Sequence, residues 1–519
     1  MDLKKTAIGI EFGSTRIKAI MVDGEGKVLA SGSHNWENQL VDGYWSYSLD
    51  AIKLGLQDCF ASLKGDFKKA YGQDLTTSGA LGVSAMMHGY MVFDEKDELL
   101  VPFRTWRNVS AQKAADELTE KFDYHIPARW SIAHLYQAIL NQESHVKDIA
   151  FQTTLEGYVH YLLTGRKVIG IGEASGMFPI DPAKKSFDSR CLKIFDGILK
   201  EKGFSFTLEK IFPEVLLAGQ EAGTLTEEGA LFLDPTGDFK PGVKLCPPEG
   251  DAETGMIATN SIKKNTGNVS SGTSIFAEVV LDKKLEHAYP EIDLVATPLG
   301  DMVAMVHANN CTSEINAYAS LFDEVLKTFG KEVDPGDLYV ALFKKSLEAE
   351  DDAGGVLSFN YLSGESITKV DNGHPLMMRN ASSNFTLANV MRSQIYAAFA
   401  TLRIGFEIFE KEKVEIKEIA GHGGIFKTPG VADRYLASAL KTPVSLLSHA
   451  GEGGAWGIAV LAAFMNVDRP LEEFLDEVIF KGNEAKLVEP DPKIEEGFDR
   501  YMEQYKKALK AEQLLSEVM

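Results

Sequence analysis

The sequence predicts a two-domain α/β protein on three observations. These are an opening strand meander, an amphipathic helix followed by a buried strand, and a recurrence of that order of elements after about residue 250. Residues 6–12, 17–23 and 27–33 are strand-like runs joined by short turns, the second of them Asp23-Gly24-Glu25-Gly26. Residues 50–71 place Ile52, Leu56, Phe60 and Leu63 at helical spacing. Ala80-Leu81-Gly82-Val83-Ser84 reads as a buried strand running into Met86-Met87-His88-Gly89-Tyr90, with helices expected near 108–122, 131–144 and 151–163. Later, 266–274 reads as a turn, 275–281 and 302–307 as strands, and 312–328, 335–348 and 386–412 as helices. A last strand, 415–421, precedes a small-residue helix at 453–464, and 491–512 reads as a charged helix on the surface of one domain. The Pro/Gly-rich stretch from Pro241-Gly242 to Pro247-Pro248-Glu249-Gly250 is the expected crossover, which divides the chain into 1–248 and 249–519.

A chain of 519 residues with 45% hydrophobic content can bury two large cores. A net charge of -22 argues against nucleic acid and acidic membrane surfaces as partners, although a few local donors still hold an anionic nucleotide at short range. No apolar run is long enough for a membrane span, and because Met1-Asp2-Leu3-Lys4-Lys5 passes directly into the first strand, no signal peptide is expected. Cys59, Cys191, Cys246 and Cys311 show neither metal-ligand spacing nor a disulfide framework, so reduced thiols in a cytoplasmic protein are expected.

Two turns carry chemistry. In the first, Gly13-Ser14-Thr15 joins two apolar strands, with Glu11 before it and Lys18 just inside the second strand. Backbone N–H groups and small hydroxyls gathered at one spot suit a phosphate, and the Glu11 carboxylate suits a hydrated Mg²⁺. In the second, Gly267 and Gly272 allow close backbone approach while Ser271, Thr273 and Ser274 offer hydroxyls. A third cluster, Gly421-His422-Gly423-Gly424, follows an apolar strand and suits a flat nucleobase; Glu452-Gly453-Gly454-Ala455-Trp456-Gly457 opens the small-residue helix, where tight packing and an adenosine contact are both open.

In order, these parts resemble the FGGY family of carbohydrate kinases, within the actin-like ATPase superfamily, over essentially the whole chain. The segments that carry the resemblance are Gly9–Thr15, Ala85-Met86-Met87-His88-Gly89, Ser271-Gly272-Thr273-Ser274, Tyr361-Leu362-Ser363-Gly364-Glu365 and Gly421–Gly424, with Gly454-Ala455-Trp456 after them. The Met-His-Gly element is most similar to the xylulose kinase branch. The resemblance implies two RNase H-like domains, each a mixed five-stranded sheet flanked by helices, with a cleft between them. It also implies an ATP-dependent sugar kinase acting on a ketose such as xylulose or ribulose. Asp251, in Gly250-Asp251-Ala252-Glu253, takes the base position ahead of Glu253 and joins Glu11 as a metal candidate. Gly13, Ser14, Thr15, Lys18, Gly272, Thr273, Ser274, Gly423, Gly424 and Glu452 are the ATP candidates, and Met87, His88, Trp106, Arg107, Asn108 and Asp251 the sugar candidates. His134 stands where members line the same cleft, and helix packing explains it equally well. Sugar, ATP and Mg²⁺ are the expected ligands, and a homodimer is the expected assembly.

Several residues depart from the family pattern. Glu11 stands where Asp is usual, Met86 where Gln is usual, and Thr105-Trp106-Arg107-Asn108-Val109-Ser110 only echoes the substrate loop. Kinases for gluconate, rhamnulose, fuculose or glycerol, a non-catalytic sugar- or ATP-binding regulator on this fold, and a mechanochemical ATPase are the alternatives.

Overall fold

In a computed structural model the described residues are 1–446, 453–482 and 486–518, and they form two compact units. The first comprises residues 1–262, 293–303 and 452–482; the second comprises 263–292, 304–451 and 483–519. This differs from the expected division at 248. Asp251 and the small-residue helix both belong to the first unit, because that helix is built to lie on the first sheet.

The meander forms as expected. Strand Ala7–Phe12 pairs antiparallel with Arg16–Val22, which pairs antiparallel with Val28–Asn35. On its other side Ala7–Phe12 pairs parallel with Ala80–Ala85, beside which Lys244–Leu245 and Glu249–Gly250 both pair in parallel. With Gly223–Thr224 beyond, the sheet holds seven strands among the described residues rather than five, because short segments after the buried strand add to its edge. Ala7–Phe12 and Ala80–Ala85 are apolar almost throughout because elements cover both faces of the sheet. The helix Leu49–Tyr71 starts where Ser48 accepts the Ala51 N–H, a cap typically contributing about 1 kcal/mol, and ends at left-handed Gly72. The other face takes the helix Gly454–Phe464, whose small residues let it come close. A Cβ at Gly9 would stand 2.1 Å from the Ala455 carbonyl oxygen, and one at Gly82 would stand 2.9 Å from that of Ile458. Tight packing is therefore what its composition serves.

The second unit repeats the plan. Thr266–Ser271 pairs antiparallel with Ile275–Val280 and parallel with Glu418–Gly423, which pairs parallel with Val444–Leu446. Residues 266–271, read as a turn, are thus the central strand, and the turn is confined to 272–274. The final helix, Pro492–Val518, is more than a surface element: Phe498, Tyr501 and Tyr505 are buried, and the Tyr505 hydroxyl donates to that of Tyr361 at 2.8 Å. Residues 151–153 form a strand, so the expected helix there starts at Leu155. The short helices Ile171–Met177 and Asp251–Ala258 escaped notice because neither shows an amphipathic period. Among the described residues no helix is long and apolar enough to cross a membrane.

Candidate active site

The first turn is anchored from behind by aromatic donors. The Gly13 N–H closes it on the Arg16 carbonyl at 3.0 Å. Trp36 Nε1 donates to the Gly13 carbonyl at 2.7 Å, and the Tyr47 hydroxyl donates to that of Ser14 at 2.6 Å. Trp36 and Tyr47 stack with ring centroids 4.0 Å apart. With those carbonyls engaged, the Ser14 and Thr15 side chains lie on the accessible side, Thr15 exposed. Neither Trp36 nor Tyr47 was singled out from sequence; an aromatic flanking each side of a short hairpin is the signal that marks them.

Glu11 lies directly opposite Lys18 in the strand register. Its Oε2 accepts the Ala455 N–H at 3.1 Å, so it caps the helix Gly454–Phe464, where the positive end of the helix dipole favours a carboxylate. Burial, and then the charge of Asp251, push its pKa up; the Ala455 N–H, Lys18 and the Gly454 N–H pull the other way. Gly454 makes room for this arrangement, since a Cβ there would stand 2.5 Å from Glu11 Oε1 and 2.7 Å from Thr254 Oγ1.

Asp251 opens the helix Asp251–Ala258 directly after the strand Glu249–Gly250, and its Oδ1 accepts the Met87 N–H at 3.1 Å. The chain crowds around it and pushes its pKa up by desolvation, yet its side chain is exposed, so water tempers that shift. Glu253, two residues on, is buried. The structure therefore brings Glu11, Lys18, Asp251 and Met87 together and turns Glu253 away from solvent.

The sugar candidates divide. Trp106 is partly exposed, and its Nε1 donates to Ser14 Oγ at 3.2 Å, which joins the loop to the first turn. The Arg107 guanidinium lies 4.2 Å from the centroid of the Trp45 ring and donates to Asn38 Oδ1 at 2.9 Å. Asn108 is buried and holds the loop together: Oδ1 accepts the Trp45 N–H, while Nδ2 donates to the carbonyls of Trp45 and Thr105. Its amide is engaged inside the loop rather than displayed. His88 is only 5% exposed, with a left-handed backbone at φ 68°. His134 is fully buried, and burial lowers its pKa to about 3, so the helix-packing alternative holds for it.

Behind Asp251 lie further acids that were not singled out as a group. Glu156, Glu173, Glu249 and Glu253 are each at most 1% exposed. Burial pushes Glu156 and Glu249 up to about 8, and burial together with Glu156 and Glu253 pushes Glu173 well above the usual range. A carboxyl whose folded pKa is raised contributes stability that is complete below its unfolded pKa of 4.5 and lost as pH rises through the folded value. Buried His134 and His160, lowered to about 3 and about 4, act in the opposite sense only below the unfolded histidine value of 6.5. Thermal melts should therefore show stability falling between about pH 6.5 and about pH 8.5, with Glu156→Gln flattening the slope.

In the second unit the turn 272–274 is fixed to a neighbouring segment. The Thr312 hydroxyl donates to the Gly272 carbonyl at 2.7 Å, and the Cys311 N–H donates to that of Thr273 at 2.8 Å. That segment is held in turn by the Tyr361–Glu365 motif: Asn310 Oδ1 accepts the Leu362 and Ser363 N–H groups, and Glu365 Oε2 accepts that of Asn309 at 2.8 Å. Gly272 and Thr273 are exposed, and among the described residues a Cβ at Gly272 would meet nothing closer than 4.0 Å, so their packing does not demand a glycine there. Gly423 is different: its φ is 112° and a Cβ would stand 2.0 Å from the Ser271 carbonyl oxygen, which makes it structural. Gly424 borders a cavity of about 470 Å³ lined also by Asn316, Tyr339, Phe343 and Lys427. Glu452 lies outside the described residues.

The family model for the N-terminal domain of the FGGY family of carbohydrate kinases matches residues 6–233, and that for its C-terminal domain matches residues 267–465. The chain belongs to the FGGY family of carbohydrate kinases. This carbohydrate kinase is similar to a xylulose kinase of Haemophilus influenzae, with 23% identity over 96% of the chain and 98% of the relative. Its fold is that of a ligand-bound xylulose kinase from Lactobacillus acidophilus, at a TM-score of 0.79 and 17% identity over 98% of each chain. A gluconate kinase from Lactobacillus acidophilus matches as well, at a TM-score of 0.78 and 16% identity over 98% of this chain and 99% of that one.

Proposed function

We propose that this carbohydrate kinase transfers the terminal phosphate of ATP to a hydroxyl of a ketose, with xylulose or ribulose as the first candidates. The observation that carries the reading is Asp251 beside Met87: an exposed carboxylate, with its pKa raised by its surroundings, next to the segment that resembles the family's sugar turn. In that position Asp251 accepts the proton of the attacking hydroxyl as the phosphoryl group leaves ATP. Trp106 offers an apolar wall to the sugar. The turn at 13–15 offers N–H and hydroxyl donors to phosphate oxygens, with Lys18 adding positive charge, and the turn at 272–274, taken by itself, offers donors of the same kind. The cavity beside Gly424 is proposed for adenosine.

Glu11 and Asp251 also fit Mg²⁺. Their charges disfavour each other, a strain that a cation relieves, and Mg²⁺ is commonly held by one or two carboxylates together with substrate phosphates. When bound there, the ion neutralises charge on the transferred group. The xylulose kinases among the relatives favour a pentulose over the aldonate of the gluconate kinase neighbour. A coupled ADP-release screen over pentuloses, hexuloses, aldonates and polyols tests the assignment. The highest kcat/KM is expected with a pentulose, and an aldonate as the preferred substrate would overturn that choice.

A further inference from the structure

Glu173 has no role in the chemistry proposed above, yet it touches both sides of it. It sits fully buried in the helix Ile171–Met177, and its Oε1 accepts the His88 N–H at 2.8 Å. Its own N–H donates to Glu249 Oε2 at 3.0 Å, two residues before Asp251. Among the described residues its second oxygen has no hydrogen-bond partner, and it lies 2.6 Å from the place a Gly250 Cβ would occupy. The same helix holds the histidine ring, for the Gly176 carbonyl lies 3.2 Å from His88 Nδ1. A Cβ at Gly176 would stand 2.6 Å from that nitrogen, so the ring is seated directly on the helix. His88 needs such support, because a left-handed backbone is unfavourable for a residue with a side chain.

We propose that Glu173 is a positioning residue for phosphoryl transfer: it clamps the left-handed His88 to the segment carrying Asp251 and so sets the sugar turn relative to the base. This rests on the reading of Met87–His88 as the sugar turn and of Asp251 as the base. The clamp acts on sugar placement and leaves the phosphate-binding turn at 13–15 untouched. A displacement of the turn by about 1 Å would move the acceptor hydroxyl out of line with the base, which costs rate without altering nucleotide binding.

Steady-state kinetics on Glu173→Ala, Glu173→Asp and Glu173→Gln test it with the preferred sugar. Glutamine keeps an acceptor oxygen at the right reach, whereas aspartate is one methylene short of the His88 N–H. Glu173→Gln should stay within about threefold of wild type, while Glu173→Asp and Glu173→Ala should lose about tenfold or more in kcat/KM for sugar with KM for ATP within about twofold. The imidazole signals of His88 in a ¹H–¹⁵N spectrum should move in Glu173→Ala and stay in place in Glu173→Gln. Equal losses in the glutamine and alanine variants, an unchanged sugar kcat/KM in Glu173→Ala and Glu173→Asp, or parallel losses for sugar and ATP would overturn the proposal. Should Glu173→Ala not fold, the aspartate and glutamine pair makes the same comparison. A wild-type enzyme that releases no ADP with any sugar refutes the underlying reading, and that outcome is visible before any variant is made.

Discussion

Asp251→Asn is expected to lower kcat for sugar phosphorylation by about 10²–10⁴-fold while leaving the protein folded and able to bind ATP. The asparagine oxygen still accepts the Met87 N–H that Asp251 Oδ1 accepts at 3.1 Å, so the local geometry survives the change. What it cannot do is take a proton from the acceptor hydroxyl, and it also removes one of the two carboxylates proposed for Mg²⁺. The loss should therefore appear in kcat with the nucleotide dissociation constant changed by less than about tenfold. Glu253→Gln is the control, because Glu253 is buried. Coupled ADP release, with titration of a fluorescent ATP analogue, separates the two effects. Turnover of Asp251→Asn within about tenfold of wild type would remove Asp251 from the base role.

Gly9→Ala should be among the most damaging small substitutions in the first unit. The added Cβ would stand 2.1 Å from the Ala455 carbonyl oxygen and 2.5 Å from the Ala459 nitrogen, and both are backbone atoms of the helix Gly454–Phe464. No rotamer relieves such a contact, so the helix must lift from the sheet. The same helix presents the N–H that Glu11 accepts, and stability and the proposed metal carboxylate are thereby coupled. A loss of about 3 kcal/mol or more is expected in urea unfolding, at the upper end of what single substitutions cost. Gly24→Ala provides the comparison, since a Cβ there meets nothing within 4 Å among the described residues, and it should stay within about 0.5 kcal/mol. Equal stability of the two variants would mean that the helix does not lie on Gly9 as described.

The opening meander was legible because its strands are uninterrupted apolar runs with turn residues between them, and the long helices because their buried positions recur at helical spacing. The return of residues 293–303 and 452–482 to the first unit was not. Nothing in the composition of Gly454–Phe464 says which sheet a helix of small residues will meet, and the answer lies far away in Gly9 and Gly82. At the site, Glu11, Lys18, Asp251 and Met87 were legible from motif order, and the structure gathers them. Asn108 and His88 were legible only as residues in the right segments; the direction each side chain takes depends on Trp45, Glu173 and Gly176, which are distant in sequence. The buried acids were hidden for the same reason, since Glu156, Glu173 and Glu249 lie on three separate elements and meet only in the fold. Glu365 likewise reads as one letter of a motif, while its carboxylate holds the segment to which the turn 272–274 is tied.

The account stands or falls on sugar-dependent phosphoryl transfer, and the direct measurement is the stoichiometry of products from the purified protein with ATP, Mg²⁺ and a saturating pentulose. Phosphorus NMR of the mixture should show ADP and a sugar phosphate accumulating in equal amounts, with little ADP formed when the sugar is left out. ADP formed at the same rate with and without sugar, and with no phosphorylated sugar beside it, would contradict the account.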